Sequence, residues 1–147
     1  MMQDDVSQKM QRLKAVKSAF ILEAQSLRDR GLMPFALPFY QSAAQAELAL
    51  ADLFGSLRRE DDAHISLFSA ASCLMQARQF QRAIPVLELV LDTFPEAEQM
   101  IQQCRGRKDE PLLADTPELR ALIKLLLDKG LITEDEWVEA LQAASAG

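Results

Sequence analysis

The chain has 147 residues, 49% of them hydrophobic and 26% charged, and a net charge of −6. A chain of this length buries a core without a metal or disulfide staple. The acidic balance argues against nucleic acid, whose binding rests on Lys and Arg neutralising phosphates. With only five glycines and an abundance of Ala, Leu, Gln, Glu and Arg, the composition favours helices, and the expected fold class is all-α.

The opening MMQDDVSQKM lacks the apolar stretch of a secretory leader. No run approaches the ~18 apolar residues of a membrane span; even ALIKLLL is broken by Lys124. The expectation is a cytoplasmic protein that does not insert into membranes. Cys73 and Cys104, far apart and without a C-x-x-C pair, read as reduced thiols of such a protein.

Val6, Met10, Leu13, Val16, Phe20, Ala24 and Leu27 recur every three or four residues. They predict one long amphipathic helix ending near Gly31, a natural helix stop. A second helix is expected over 35–57, beginning at the MPFALP prolines and rich in small residues that let a neighbour approach. RREDDAH reads as a polar break. Three further helices follow, over about 63–77, 82–93 and 95–105. GRKDEPLLADT, 106–116, has the turn formers and mixed charge of a linker, so the expected domains are 1–105 and 117–147.

The last segment predicts a helical hairpin. Thr116 is placed to cap its first helix, with Pro117 at the first helical position, and Gly130 ends it. Thr133 and Glu136 form a capping-box pattern for the second, with Ile132 and Trp137 at hydrophobic-staple positions. Between Leu119 and Leu127 only Arg120 and Lys124 are polar. A helix apolar around most of its circumference is buried on several sides, more than one hairpin partner can cover.

QFQRAIPVLELVLDTFP, 79–95, is echoed by LMPFALPFYQSAAQAEL, 32–48. Aligned on Ala83 and Ala36, both read large apolar residue, two variable positions, Ala, aliphatic, Pro, then an apolar helical pattern. The preceding helices agree: Phe20, Ala24, Leu27 and Met33 stand before Ala36 as Leu67, Ala71, Leu74 and Phe80 stand before Ala83. Because a helix tolerates proline best in its first turn, Pro38 and Pro85 are expected there. This pattern resembles the tetratricopeptide repeat, a helix-turn-helix unit of about 34 residues. The second copy matches in Leu67, Ala70, Ala71, Leu74, Phe80, Ala83, Leu87 and Pro95. The first keeps Phe20, Ala24, Leu27, Gly31, Ala36, Tyr40 and Ala43, but has Glu23 and Leu48 where the family has Leu and Pro. The repeats fall at about 17–50 and 64–97.

The resemblance implies a right-handed array of antiparallel helix hairpins, with small residues at close helix contacts and no chemistry of its own. Ala36 and Ala83 lie 47 residues apart, beyond one repeat, so the second helix is expected to overrun. Two copies are fewer than such arrays need, so the long N-terminal helix and the C-terminal hairpin, or else another subunit, are expected to act as caps.

The lone His64, the Glu60–Asp62 run and the two cysteines show no ligand spacing, and no phosphate loop or nucleophile motif occurs. No enzyme activity, metal or cofactor is expected. In tetratricopeptide proteins the first helix of each pair lines a groove for a peptide or helix. Carried over, that face comprises Ser18, Ile21, Gln25, Arg28 and Asp29, then Ile65, Phe68, Ser72, Met75 and Gln76. With Arg28 the lone cation, it does not match a carboxylate-clamping groove and suits an apolar or amphipathic segment. That segment belongs either to another protein or to the chain's own terminal helices. The expected function is a non-catalytic adaptor or scaffold, in its most concrete form a small chaperone. The alternative is a self-assembling subunit, a homo-dimer or paralogue complex built through the terminal helices.

Overall fold

The computed structural model describes residues 2–110 and 117–145, and among these all regular structure is α-helical. The helices are α1 (Met2–Asp29), α2 (Met33–Ser56), α3 (Glu60–Gln76), α4 (Phe80–Leu89), α5 (Ala97–Cys104), α6 (Pro117–Asp128) and α7 (Glu134–Ser145). They divide into two compact units, Met1–Pro111 and Leu112–Gly147. In the first, α1 packs on α2, α2 on α3, α3 on α4, and α4 on α5.

The small residues sit where these helices meet. Ala24, Ala36, Ala43, Ala44, Ala70, Ala71 and Ala83 are fully buried, so backbones approach with no side chain between them. Leu74, Phe80, Leu87, Val90 and Ile101 fill the space beside the α2–α5 contacts. Tyr40 closes a second cluster with Ala24, Leu27 and Ala36. A third joins Leu50, Phe54 and Ala63, with Met10 and Leu13 of α1 laid against it.

The helix boundaries differ from the expected ones for local reasons. α3 starts at Glu60 because Glu60, Asp61 and Asp62 occupy its first turn, where acidic groups meet the positive end of the helix dipole. The break expected over RREDDAH is therefore confined to the turn at Arg58 and Arg59, and Glu60 to His64 are helix. α2 and α4 begin at Met33 and Phe80, so Pro38 and Pro85 lie inside their helices and not in the first turn as expected. Pro34 holds the early position in α2. Only about one turn precedes each internal ring, so the clash with the preceding carbonyl falls on a short segment that can yield. α4 stops at Leu89, short of the expected 93. Pro95 disfavours helical geometry at Phe94, and the chain passes through turns at 90–93 before α5.

One turn design recurs. The Leu32, Arg59, Gln79 and Leu131 amides bond the carbonyls of Leu27, Phe54, Leu74 and Leu126 at 2.8–3.0 Å. The residue before each amide is left-handed: Gly31, Arg58, Arg78 and Gly130, with φ between 58° and 76°. This is the Schellman arrangement, which satisfies carbonyls at the helix end. Leu32, Arg59 and Gln79 then serve as the N-caps of the next helices.

In the second unit, the Thr133–Glu136 capping box forms. The Glu136 amide donates to Thr133 Oγ1 and the Thr133 amide to Glu136 Oε1, both at 3.1 Å. The cap expected at Thr116 lies outside the described residues.

Left-handed geometry costs a non-glycine residue roughly 1–2 kcal/mol, and a new glycine gives back part of that through unfolded-chain entropy. Arg58 is exposed. Arg58→Gly is therefore expected to stabilise the protein by about 0.5–1 kcal/mol, read from the urea midpoint; a loss of stability would contradict the turn geometry.

Candidate protein-binding face

The residues expected to meet a partner come from α1 and α3. Ile21, Phe68 and Met75 are half-buried and pack against the same core cluster. Ile65, one turn before Phe68 on α3, is 55% exposed. Phe68 stacks on Phe94, ring centroids 4.5 Å apart; that partner, from the α4–α5 connection, is missing from the face read off the sequence. Its signal there is slight, a single aromatic before Pro95. Phe20, beside Ile21, packs at 6.2 Å against Phe39.

The polar members behave differently. The Ser72 hydroxyl donates to the Phe68 carbonyl at 3.2 Å within its own helix. Arg28 Nη1 donates to the Tyr40 hydroxyl at 3.2 Å and its Nε lies 3.6 Å from Asp29 Oδ1, so Arg28 is directed to its own unit. Gln25 is half-buried, while Gln76 and Ser18 are exposed. Ile21 of α1 and Phe68 and Met75 of α3 thus share one core cluster, while Arg28, Ser72 and Gln25 make local contacts or are partly covered.

α3 is held in place at both ends. At its start, His64 Nδ1 and Thr93 Oγ1 are 2.6 Å apart, which ties α3 to the segment carrying Phe94. At its end, the chain after α5 folds back over the α3–α4 turn. Arg78 pairs with Glu110 at 3.1 Å, and buried Gln79 donates to the Glu110 carbonyl at 2.6 Å. The Gln81 amide donates to Asp109 at 2.6 Å, and Gln81 Nε2 to the Arg107 carbonyl at 2.8 Å. Arg107 lies over the Phe80 ring at 3.9 Å. The first part of the expected linker 106–116 is therefore a strap bound to the helical array.

α2 carries a buried charge. Glu47 of α2 is 2% exposed, and Lys17 Nζ of α1 is 2.7 Å from its Oε1, an ion pair without a hydrogen bond of standard geometry. Taking one partner away leaves an uncompensated buried charge, which is strongly destabilising, so the pair fixes how α1 sits on α2. Burial, reinforced by Glu47 and opposed by Lys17, pushes the nearby Cys73 thiol up to about 11. Burial raises Cys104 as well, with Arg107 opposing and Asp109 adding. A thiol kept protonated is a poor nucleophile. Both thiols are free and buried.

Among the described residues no three His, Cys, Asp or Glu side chains are grouped to hold a metal, and no helix is long and apolar enough to cross a membrane. A shallow open depression of about 340 Å³ is lined by Arg58, Arg59, Glu60, Asp61 and Asp62. It brings together helix-end charges, with Asp62 paired to Arg59 at 2.7 Å. Comparison with family models, with curated proteins and with solved structures finds no match.

The Cys73 shift has a pH signature. The folded thiol holds its proton above the ordinary value of 9.0, so between about pH 9 and 11 the unfolded state has lost a proton that the folded state keeps. Stability must then fall as pH rises through that window. Urea unfolding at pH 8, 9.5 and 10.5 is expected to show a steeper decline for the natural chain than for Cys73→Ala. Parallel declines would remove the thiol as the cause.

Proposed function

We propose that this chain is a non-catalytic adaptor that holds an apolar or amphipathic segment of another protein on the α1–α3 face, using helix pairs of tetratricopeptide type. Its concrete form is a small chaperone or escort. The observation that carries the reading is Ile65, exposed on α3 one turn from Phe68, with Ile21 and Met75 half-buried on the same core. An apolar helix face docks into such a surface through residues spaced three and four apart, and Met adapts to varied side chains. The buried alanines at the helix contacts, Ala24 with Ala36 and Ala71 with Ala83, are consistent with the repeat-type pairing but do not depend on the partner.

The mechanism is burial of apolar surface. Ile65, Phe68, Met75 and Ile21 lose contact with water, and the Phe68–Phe94 stack offers a rigid platform. No bond is made or broken.

Ile65→Asp tests this without disturbing the core, because the side chain is exposed. Leu89→Asp, at a position 65% exposed on α4, is the control. Amphipathic helical peptides selected against the immobilised chain are expected to bind the Ile65→Asp variant at least about tenfold more weakly, the equivalent of roughly 1.4 kcal/mol. Leu89→Asp should bind as the natural chain does. Equal binding by both variants would move the interface off this face.

A further inference from the structure

Of the helices α2 to α5, α4 has the weakest start of its own. None of the four receives a hydrogen bond from its N-cap side chain. α2 has Pro34 early in the helix, which spares it an orphan amide, and α3 and α5 carry acidic groups in their first turns. α4 has neither, and its third residue is the cation Arg82, set against the positive end of the helix dipole.

The strap supplies what α4 lacks. The Gln81 amide, in the first turn of α4, donates to Asp109 Oδ1 at 2.6 Å, a carboxylate cap brought from 28 residues downstream. The Glu110 amide donates to the Arg78 carbonyl at 3.0 Å, while the Glu110 carbonyl and carboxylate accept from the Gln79 and Arg78 side chains. Gln81 Nε2 reaches two carbonyls, Cys104 at 3.2 Å and Arg107 at 2.8 Å. The strap also bears on two core residues. Arg107 faces the Phe80 ring, and the charges of Arg107 and Asp109 both act on the Cys104 thiol, which has no exposure. These contacts involve only residues 78–81 and 104–110. Each polar contact contributes little alone where its partners are half-exposed, so they are lost together in a local opening.

We propose that the segment Arg107–Glu110 is a latch that opens as a unit while the other helices stay packed, fraying the first turn of α4 and uncovering Phe80 and Cys104. The covalent path to the second unit leaves from the end of this latch, so a load on that connection reaches the first turn of α4 before the rest of the array. This device stands apart from the α1–α3 face, and either assignment can fail without the other.

A timed pulse of N-ethylmaleimide on the folded full chain, read separately at Cys73 and Cys104 by peptide mass, tests it. Asp109→Ala is expected to speed labelling of Cys104 by about tenfold. Cys73, buried beside Glu47, should keep its natural rate. Asp109→Asn removes the same charge from the surroundings of the Cys104 thiol but keeps an oxygen for the Gln81 amide. It should stay within about threefold of the natural rate, and Lys108→Ala, at an exposed position of the same segment, should leave the rate unchanged. Equal acceleration at both cysteines means that the whole unit opens, and overturns the proposal. So does a Cys104 rate that ignores Asp109→Ala, or one that Asp109→Asn raises as much.

Discussion

Close approach of helix backbones at alanine is the constraint on which the first unit depends. Each contact from α1 to α4 passes through residues with one methyl group and no exposure, among them Ala24, Ala36, Ala43, Ala44, Ala71 and Ala83. Side chains that small bring little apolar area themselves. Their role is to let the helices come near enough for Tyr40, Leu50, Leu74 and Leu87 to fill the space alongside. A larger side chain at Ala71 or Ala83 forces the helices apart, and an overpacked contact costs about 1–3 kcal/mol. Ile21, Phe68 and Met75 pack against the core that these contacts enclose.

The turns and the strap complete that geometry. Left-handed residues at 31, 58 and 78 end three helices and reverse the chain with almost no connecting segment, so the alanines meet in register. The pair of half-exposed Lys17 with buried Glu47 favours one seating of α1 on α2. Arg107 to Glu110 close the α3–α4 turn. What remains open is the outer side of α3, where Ile65 stands beside the Phe68–Phe94 stack.

The number and order of the helices were legible because apolar residues recur at helical spacing and the caps at Gly31, Gly130 and Thr133 carry local signals. The alanines that pack were legible too, since two stretches repeat them in the same places. Arg58 and Arg78 were not: their left-handed conformation is imposed by the helices on either side, and arginine carries no local preference for it. The strap was hidden for a different reason. It rests on backbone carbonyls and on partners 26 to 32 residues away, which no short window of sequence contains. At the candidate face, helical register accounts for the half-burial of Ile21, Phe68 and Met75, but the contact of Arg28 with Tyr40 and the back-bonding of Ser72 depend on side-chain geometry. Phe94 joins Phe68 only because α4 ends early.

In the proposed function the α1–α3 face, and not another apolar surface, receives a partner segment. The most direct measurement is methyl nuclear magnetic resonance on the full chain during titration with a selected amphipathic peptide. The account predicts that the Ile21, Ile65 and Met75 methyl signals shift and saturate together, while those of exposed Leu22 and Leu89 stay in place. Shifts centred on Leu22, Leu89 or the hairpin 117–145, with Ile65 unmoved, would contradict it.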